Sequence, residues 1–136
     1  MEINAVKNVL RTCELFNALD DAQLDLLIKV GQTKQFAPSA EIYTKGELSK
    51  GTFCLIVSGR VGVITESGQI ISGMGSGEII GDVGATSPQS KRTVTVRTIE
   101  ATEILEWNVT TIKNKLPDLM KKLKNLAWKH VSNYYA

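Results

Sequence analysis

The sequence predicts a mainly β protein with flanking helices: a double-stranded β-helix (jelly roll) with N-terminal helices before it and a C-terminal amphipathic helix after it. Three observations lead there. Between Thr33 and Trp107 the chain breaks into eight short β-like runs punctuated by glycine. Residues 3–31 instead carry apolar side chains at helical spacing, and that spacing returns after Trp107.

Taking the elements in order, Ile3, Val6, Val9 and Leu10 share one helical face over residues 3–12. A second helix follows Asp20, a good N-cap, with Gln23 three positions on as a capping-box partner. Leu24, Leu27 and Ile28 form its apolar stripe, and Gly31 ends it. The strands expected next are 33–37, 40–44, 52–57, 60–65, 69–74, 79–81, 92–98 and 102–107. Pro38-Ser39, Lys45-Gly46, Ser58-Gly59, Ser67-Gly68 and Gly75-Ser76-Gly77 separate them as turns. The last helix is expected over 111–136, with Pro117 in a first turn where its missing N–H is no loss. Leu119, Met120, Leu123, Leu126, Ala127, His130, Val131 and Tyr134 line one face of it, and Lys121, Lys122, Lys124 and Lys129 lie mostly on the other. The expected organisation is one domain over 1–136: a helical lead-in at 1–31, a β-roll at 32–108 and the closing helix.

Composition narrows the function. The 136 residues are 43% hydrophobic and 22% charged, as in ordinary globular proteins. No apolar run is long enough to span a membrane, and residues 1–10 lack a signal-peptide core. Cys13 and Cys54 stand far apart among apolar neighbours, the pattern of buried free thiols in a reducing compartment, so a cytoplasmic location is expected. Residues 1–110 carry ten Lys/Arg against thirteen Asp/Glu, whereas residues 111–136 carry six Lys against one Asp. Those lysines fit the solvated face of a helix, or else a surface for nucleic acid or anionic membrane.

Enzyme chemistry finds no footing. The single histidine, His130, cannot furnish the several imidazoles that metal enzymes of this architecture use, so no metal is expected. There is no GxSxG, and Cys54 lies inside an apolar strand-like run. Gly73-Met74-Gly75-Ser76-Gly77 is followed by Glu78 where a dinucleotide fingerprint needs its third glycine, and no GxxxxGK[ST] occurs. The reading is a non-enzyme.

What does carry chemistry is the stretch GEIIGDVGATSPQSKRTVTV, residues 77–96. Gly81 and Gly84 let backbone N–H groups approach a ligand closely, and successive N–H groups in such a loop make a concavity for phosphate oxygens. Arg92 adds a planar fork suited to phosphate. Asp82 is an acceptor fitted to a hydroxyl. One phosphate beside a sugar hydroxyl answers to that pair.

This stretch resembles the phosphate-binding cassette of the cyclic nucleotide-binding domain family, through Ile80-Gly81-Asp82 and Arg92-Thr93-Val94-Thr95-Val96. The run from Phe53 to Val63, the segment Leu15 to Asp20, and Gly46 and Gly59 at turns are similar to the family pattern as well, over roughly residues 12–125. The resemblance implies a regulatory sensor that binds cyclic AMP or cyclic GMP and signals through its C-terminal helix. The implied contacts are Arg92 and the amides of Gly81, Asp82, Val83, Gly84 and Thr93 on the phosphate. Asp82 would face the ribose hydroxyl, with Val63, Ile71 and Met74 along the sugar and base and Trp128, Tyr134 or Tyr135 as a lid or as packing. The family usually has Glu where Asp82 stands, which leaves the carboxylate about 1.5 Å short. With no anion present, Asp82 is the expected partner of Arg92. The alternative is a degenerate domain of the same fold, acting as a protein-interaction or dimerisation module through residues 116–135 without nucleotide. A DNA-reading or kinase domain, if the protein works with one, is expected on another chain or another part of this one.

Overall fold

The computed structural model describes residues 2–64, 68–87 and 91–135. Helix α1 (Ile3–Thr12) buries Val6 and Leu10, and α2 (Asp21–Val30) buries Leu24 and Leu27. The capping box at the head of α2 is formed in both directions: the Gln23 N–H donates to the Asp20 side chain at 2.8 Å, and the Asp20 N–H donates to Gln23 Oε1 at 3.0 Å. Gly31 follows α2 with an ordinary extended backbone (φ −84°). Its lack of a side chain is explained by space instead, because a Cβ there would stand 2.7 Å from Leu105 and 2.8 Å from Trp107.

Among the described residues the strands are β1 (Gln32–Phe36), β2 (Glu41–Tyr43), β3 (Thr52–Ser58), β4 (Arg60–Ile64), β5 (Ile70–Gly75), β6 (Ile79–Ile80), β7 (Thr95–Thr98) and β8 (Thr102–Asn108). They form two antiparallel sheets, ordered β1-β8-β3-β6 and β2-β7-β4-β5, in a jelly-roll arrangement. The register of β3 on β8 sets Phe53 opposite Trp107 and Leu55 opposite Leu105.

Two apolar cores result. Strand side chains alternate in direction, so Phe53, Leu55 and Val57 face outward onto the helices while Cys54 and Ile56 face into the barrel. Trp107 centres the outer core, with its ring 5.2 Å from Phe16 and 5.7 Å from Phe53 and its indole N–H donated to Leu27 O at 2.8 Å. The barrel interior holds Tyr43, Val61, Val63, Met74, Ile80, Val96 and Ile104.

The expected closing helix is divided. α4 (Val109–Lys115) begins with Asn108 capping the Thr110 N–H, and α5 (Leu119–Tyr135) follows a turn at Pro117 and Asp118. Pro117 therefore precedes α5 instead of sitting inside it, and its carbonyl accepts from Met120 N–H at 3.1 Å as α5 begins. α5 buries Leu119, Leu123, Leu126 and Ala127. Among the described residues no helix is long and apolar enough to cross a membrane.

Candidate functional site

Between β6 and β7 the described residues include a short helix, α3 (Asp82–Thr86). Gly81 starts it in the left-handed region (φ 81°), and a Cβ there would stand 2.6 Å from the Tyr43 ring. Only glycine meets both demands. Asp82, Val83 and Gly84 then form the first turn of α3, beside a cavity of about 20 Å³.

Arg92 reaches the same cavity from the other side. Strand β7 begins only at Thr95, not at 92, because the backbone of Arg92 is committed elsewhere. Its N–H donates to Glu47 O at 2.7 Å, and its carbonyl accepts from Gly46 N–H at 2.9 Å. That clasp fixes where the side chain starts. The side chain then runs inward and is only 6% exposed. Nη1 donates to Thr52 O (2.7 Å) and Gly81 O (3.1 Å), and Nη2 donates to Ser49 O (3.1 Å) and Thr52 Oγ1 (2.5 Å). The guanidinium also lies over the Tyr43 ring, 3.6 Å from its centre. Burial lowers the pKa of Arg92 from its ordinary value, and Tyr43 and Glu106 oppose that.

Beneath Arg92 a polar chain runs through the barrel. The Tyr43 hydroxyl donates to Glu106 Oε2 at 2.9 Å, and Lys34 Nζ stands 2.8 Å from Glu106 Oε1. Burial pushes the pKa of the Tyr43 hydroxyl up, which keeps it protonated as the donor. Glu106 is paired directly with Lys34 and is linked to Arg92 through the Tyr43 ring between them.

The expected Arg92–Asp82 pair is not what forms. Asp82 is 1% exposed, and its Oδ2 lies 2.7 Å from Nδ1 of His130 on α5. The short aspartate keeps its carboxylate close to α3, where α5 meets it. Arg92 in turn finds enough main-chain oxygen to satisfy both terminal nitrogens.

Of the residues expected at the site, Val63, Gly81, Asp82, Val83, Gly84, Arg92 and Thr93 line this one cavity. Met74 is buried in the barrel core but does not line it. Ile71 lies on β5, and its side chain falls outside the described residues, as do those of Tyr134 and Tyr135. Trp128 is 73% exposed and does not line the cavity. Sequence reasoning missed Tyr43, Ile80, Val94 and Val96 in the lining, and Thr52, Ser49 and Glu106 behind it. Tyr43 carried a usable signal, since a buried arginine favours an aromatic platform.

Known proteins share this architecture. A Thermus thermophilus catabolite activator protein aligns with a TM-score of 0.74 at 22% identity, over 87% of this chain and 58% of that one. The regulatory domain of Toxoplasma gondii PKA, solved with cAMP, aligns at 0.75 and 22% identity, over 88% and 46%. The regulatory subunit of a cAMP-independent protein kinase A from Trypanosoma brucei aligns at 0.82 and 17% identity, over 98% and 48%. The chain thus spans about half the length of these structures, and at such identities the likeness establishes the fold. No curated protein matches it in sequence. The family profile described as "Cyclic nucleotide-binding domain" matches residues 33–117, a span that runs from β1 through the Asp82–Arg92 loop to the end of α4. With the jelly roll and the cassette in place, the chain belongs to the cyclic nucleotide-binding domain family.

Proposed function

We propose that the chain is a single, non-catalytic regulatory domain over residues 1–136, which binds cyclic AMP or cyclic GMP at the Asp82–Arg92 loop and signals through its C-terminal helix. The observation that carries the reading is that Arg92, Thr93 and the Gly81–Gly84 turn line one cavity. A phosphodiester set there would exchange neutral carbonyl acceptors on the guanidinium for charged oxygens, and charge-assisted bonds are the stronger kind. Entry has a cost. A cavity of about 20 Å³ is nearer the size of one water molecule than of a nucleotide, so its lining must adjust as it fills. Moving Arg92 breaks bonds to Thr52, Ser49 and Gly81.

A second reading draws on those same bonds. Each terminal nitrogen of Arg92 already has two protein acceptors, and Asp82 already has His130. A domain stabilised by its own cassette can serve as an interaction or dimerisation module with no nucleotide. Titration calorimetry with cyclic AMP and with cyclic GMP, paired with thermal unfolding, separates the two. The sensor gives saturable heat and a rise in stability of about 2.7 kcal/mol at a hundredfold excess over Kd. No heat and no rise at millimolar nucleotide removes the sensor reading, and a dimer by light scattering that nucleotide does not change would favour the module.

A further inference from the structure

Asp82 stands in two places at once. It lines the cavity, and it is bonded to the C-terminal helix through His130. The partners are 48 residues apart in sequence, and the pair is closed off from solvent, with His130 only 9% exposed. Along the described side chains α5 is also held by apolar burial at Leu119, Leu123, Leu126 and Ala127. His130 adds a polar clasp to the outer part of the helix.

From this juxtaposition we infer that His130 and a ligand hydroxyl compete for the Asp82 carboxylate, so that filling the cavity unclasps the outer part of α5. The inference rests on the nucleotide-binding reading and names its regulatory step. The reason for competition is reach. An aspartate is about one C–C bond, roughly 1.5 Å, shorter than a glutamate. A hydroxyl bound deeper in the cavity would draw the carboxylate toward it, away from His130, by a comparable distance. A 2.7 Å bond to Nδ1 stretched by that much is no longer a hydrogen bond. Oδ2 is committed to His130, so a hydroxyl that draws the carboxylate into the cavity does so at the expense of that bond. Ligand affinity and helix docking are then coupled with opposite sign, and the coupling is reciprocal.

The test uses the full chain, wild type and two variants. His130→Phe keeps the ring's bulk and removes the nitrogen. His130→Asn places an amide nitrogen near the position of Nδ1 and serves as the rescue. Binding of cyclic AMP and of its 2′-deoxy analogue is measured by calorimetry, and amide exchange over residues 119–131 is measured without nucleotide. His130→Phe is expected to bind cyclic AMP at least tenfold tighter than wild type, with no such gain for the 2′-deoxy analogue. Its α5 amides should exchange at least tenfold faster, and His130→Asn should bring both quantities back toward wild type. If wild type binds cyclic AMP and His130→Phe binds it no better, the competition is refuted and the sensor reading stands. If none of the three proteins binds nucleotide, the sensor reading and the competition fall together. Unchanged exchange in His130→Phe overturns the clasp whatever binds.

Discussion

The guanidinium of Arg92 lies 3.6 Å above the centre of the Tyr43 ring, and the hydroxyl of that same ring donates to Glu106. The tyrosine is therefore both a platform and a spacer between a buried cation and a buried anion. Tyr43→Phe keeps the platform and loses a hydrogen bond to a charged group, an expected loss of about 1.5–3 kcal/mol in urea unfolding. Tyr43→Ala removes the platform as well and is expected to lose about 3–5 kcal/mol, as other buried aromatics do on truncation. If both variants lose the same amount, the ring contributes nothing as a platform.

Arg92→Ala tests stability and binding together. It strips the carbonyls of Thr52, Ser49 and Gly81 of their shared donor, and stability should fall by at least about 2 kcal/mol. It should also abolish any nucleotide binding seen by calorimetry. Asp82→Glu should preserve or strengthen that binding, because the longer side chain extends the carboxylate further into the cavity. Weaker binding by Asp82→Glu would show that the carboxylate does not meet the ligand.

Burial pushes the Cys13 thiol from its ordinary 9.0 up to about 11. The native state therefore holds this proton more tightly than the unfolded chain does. The stabilisation is complete below about pH 9 and is lost as pH rises through about 11, roughly 3 kcal/mol in all. Burial shifts Cys54 and Tyr43 the same way. Chemical unfolding followed from pH 8 to 11 should show falling stability, with a shallower slope in Cys13→Ala.

Gly31→Ala is expected to cost about 1–3 kcal/mol despite a favourable backbone, because its methyl would meet both Leu105 and Trp107. Near-ultraviolet circular dichroism of the buried Trp107 reports the repacking. An unchanged spectrum and midpoint would show that the contact yields freely.

The punctuation of the chain made most of the fold legible. Asp20 and Gln23 marked the head of α2, and turn residues separated the first six strands. The Thr-Val alternation after Arg92 misled, because it has the period of a strand from the start. Arg92 is kept out of β7 by backbone bonds to Gly46 and Glu47, a contact between distant segments that no local pattern encodes. Pro117 suits the first turn of a helix and the break before one equally well, so the division between α4 and α5 was not legible from it. At the site, Arg92, Asp82 and the glycines could be read from residue type. Their partners could not. Arg92 is held largely by carbonyl oxygens, which every residue carries, and Asp82 is held by a histidine that only folding brings near.

Strand β3 has a buried residue at every position from Phe53 to Val57, so it has no wet face. Sheet and helices are consequently two halves of one laminate. A fragment trimmed to the family match at 33–117 would leave Phe53, Leu55, Val57, Leu105 and Trp107 without the α1, α2 and α5 that cover them. Such a fragment is expected to precipitate on expression, whereas the whole chain stays dispersed. The smallest piece able to stand alone is thus set by what shields the barrel's outer wall, and it is longer than the segment by which the family is recognised.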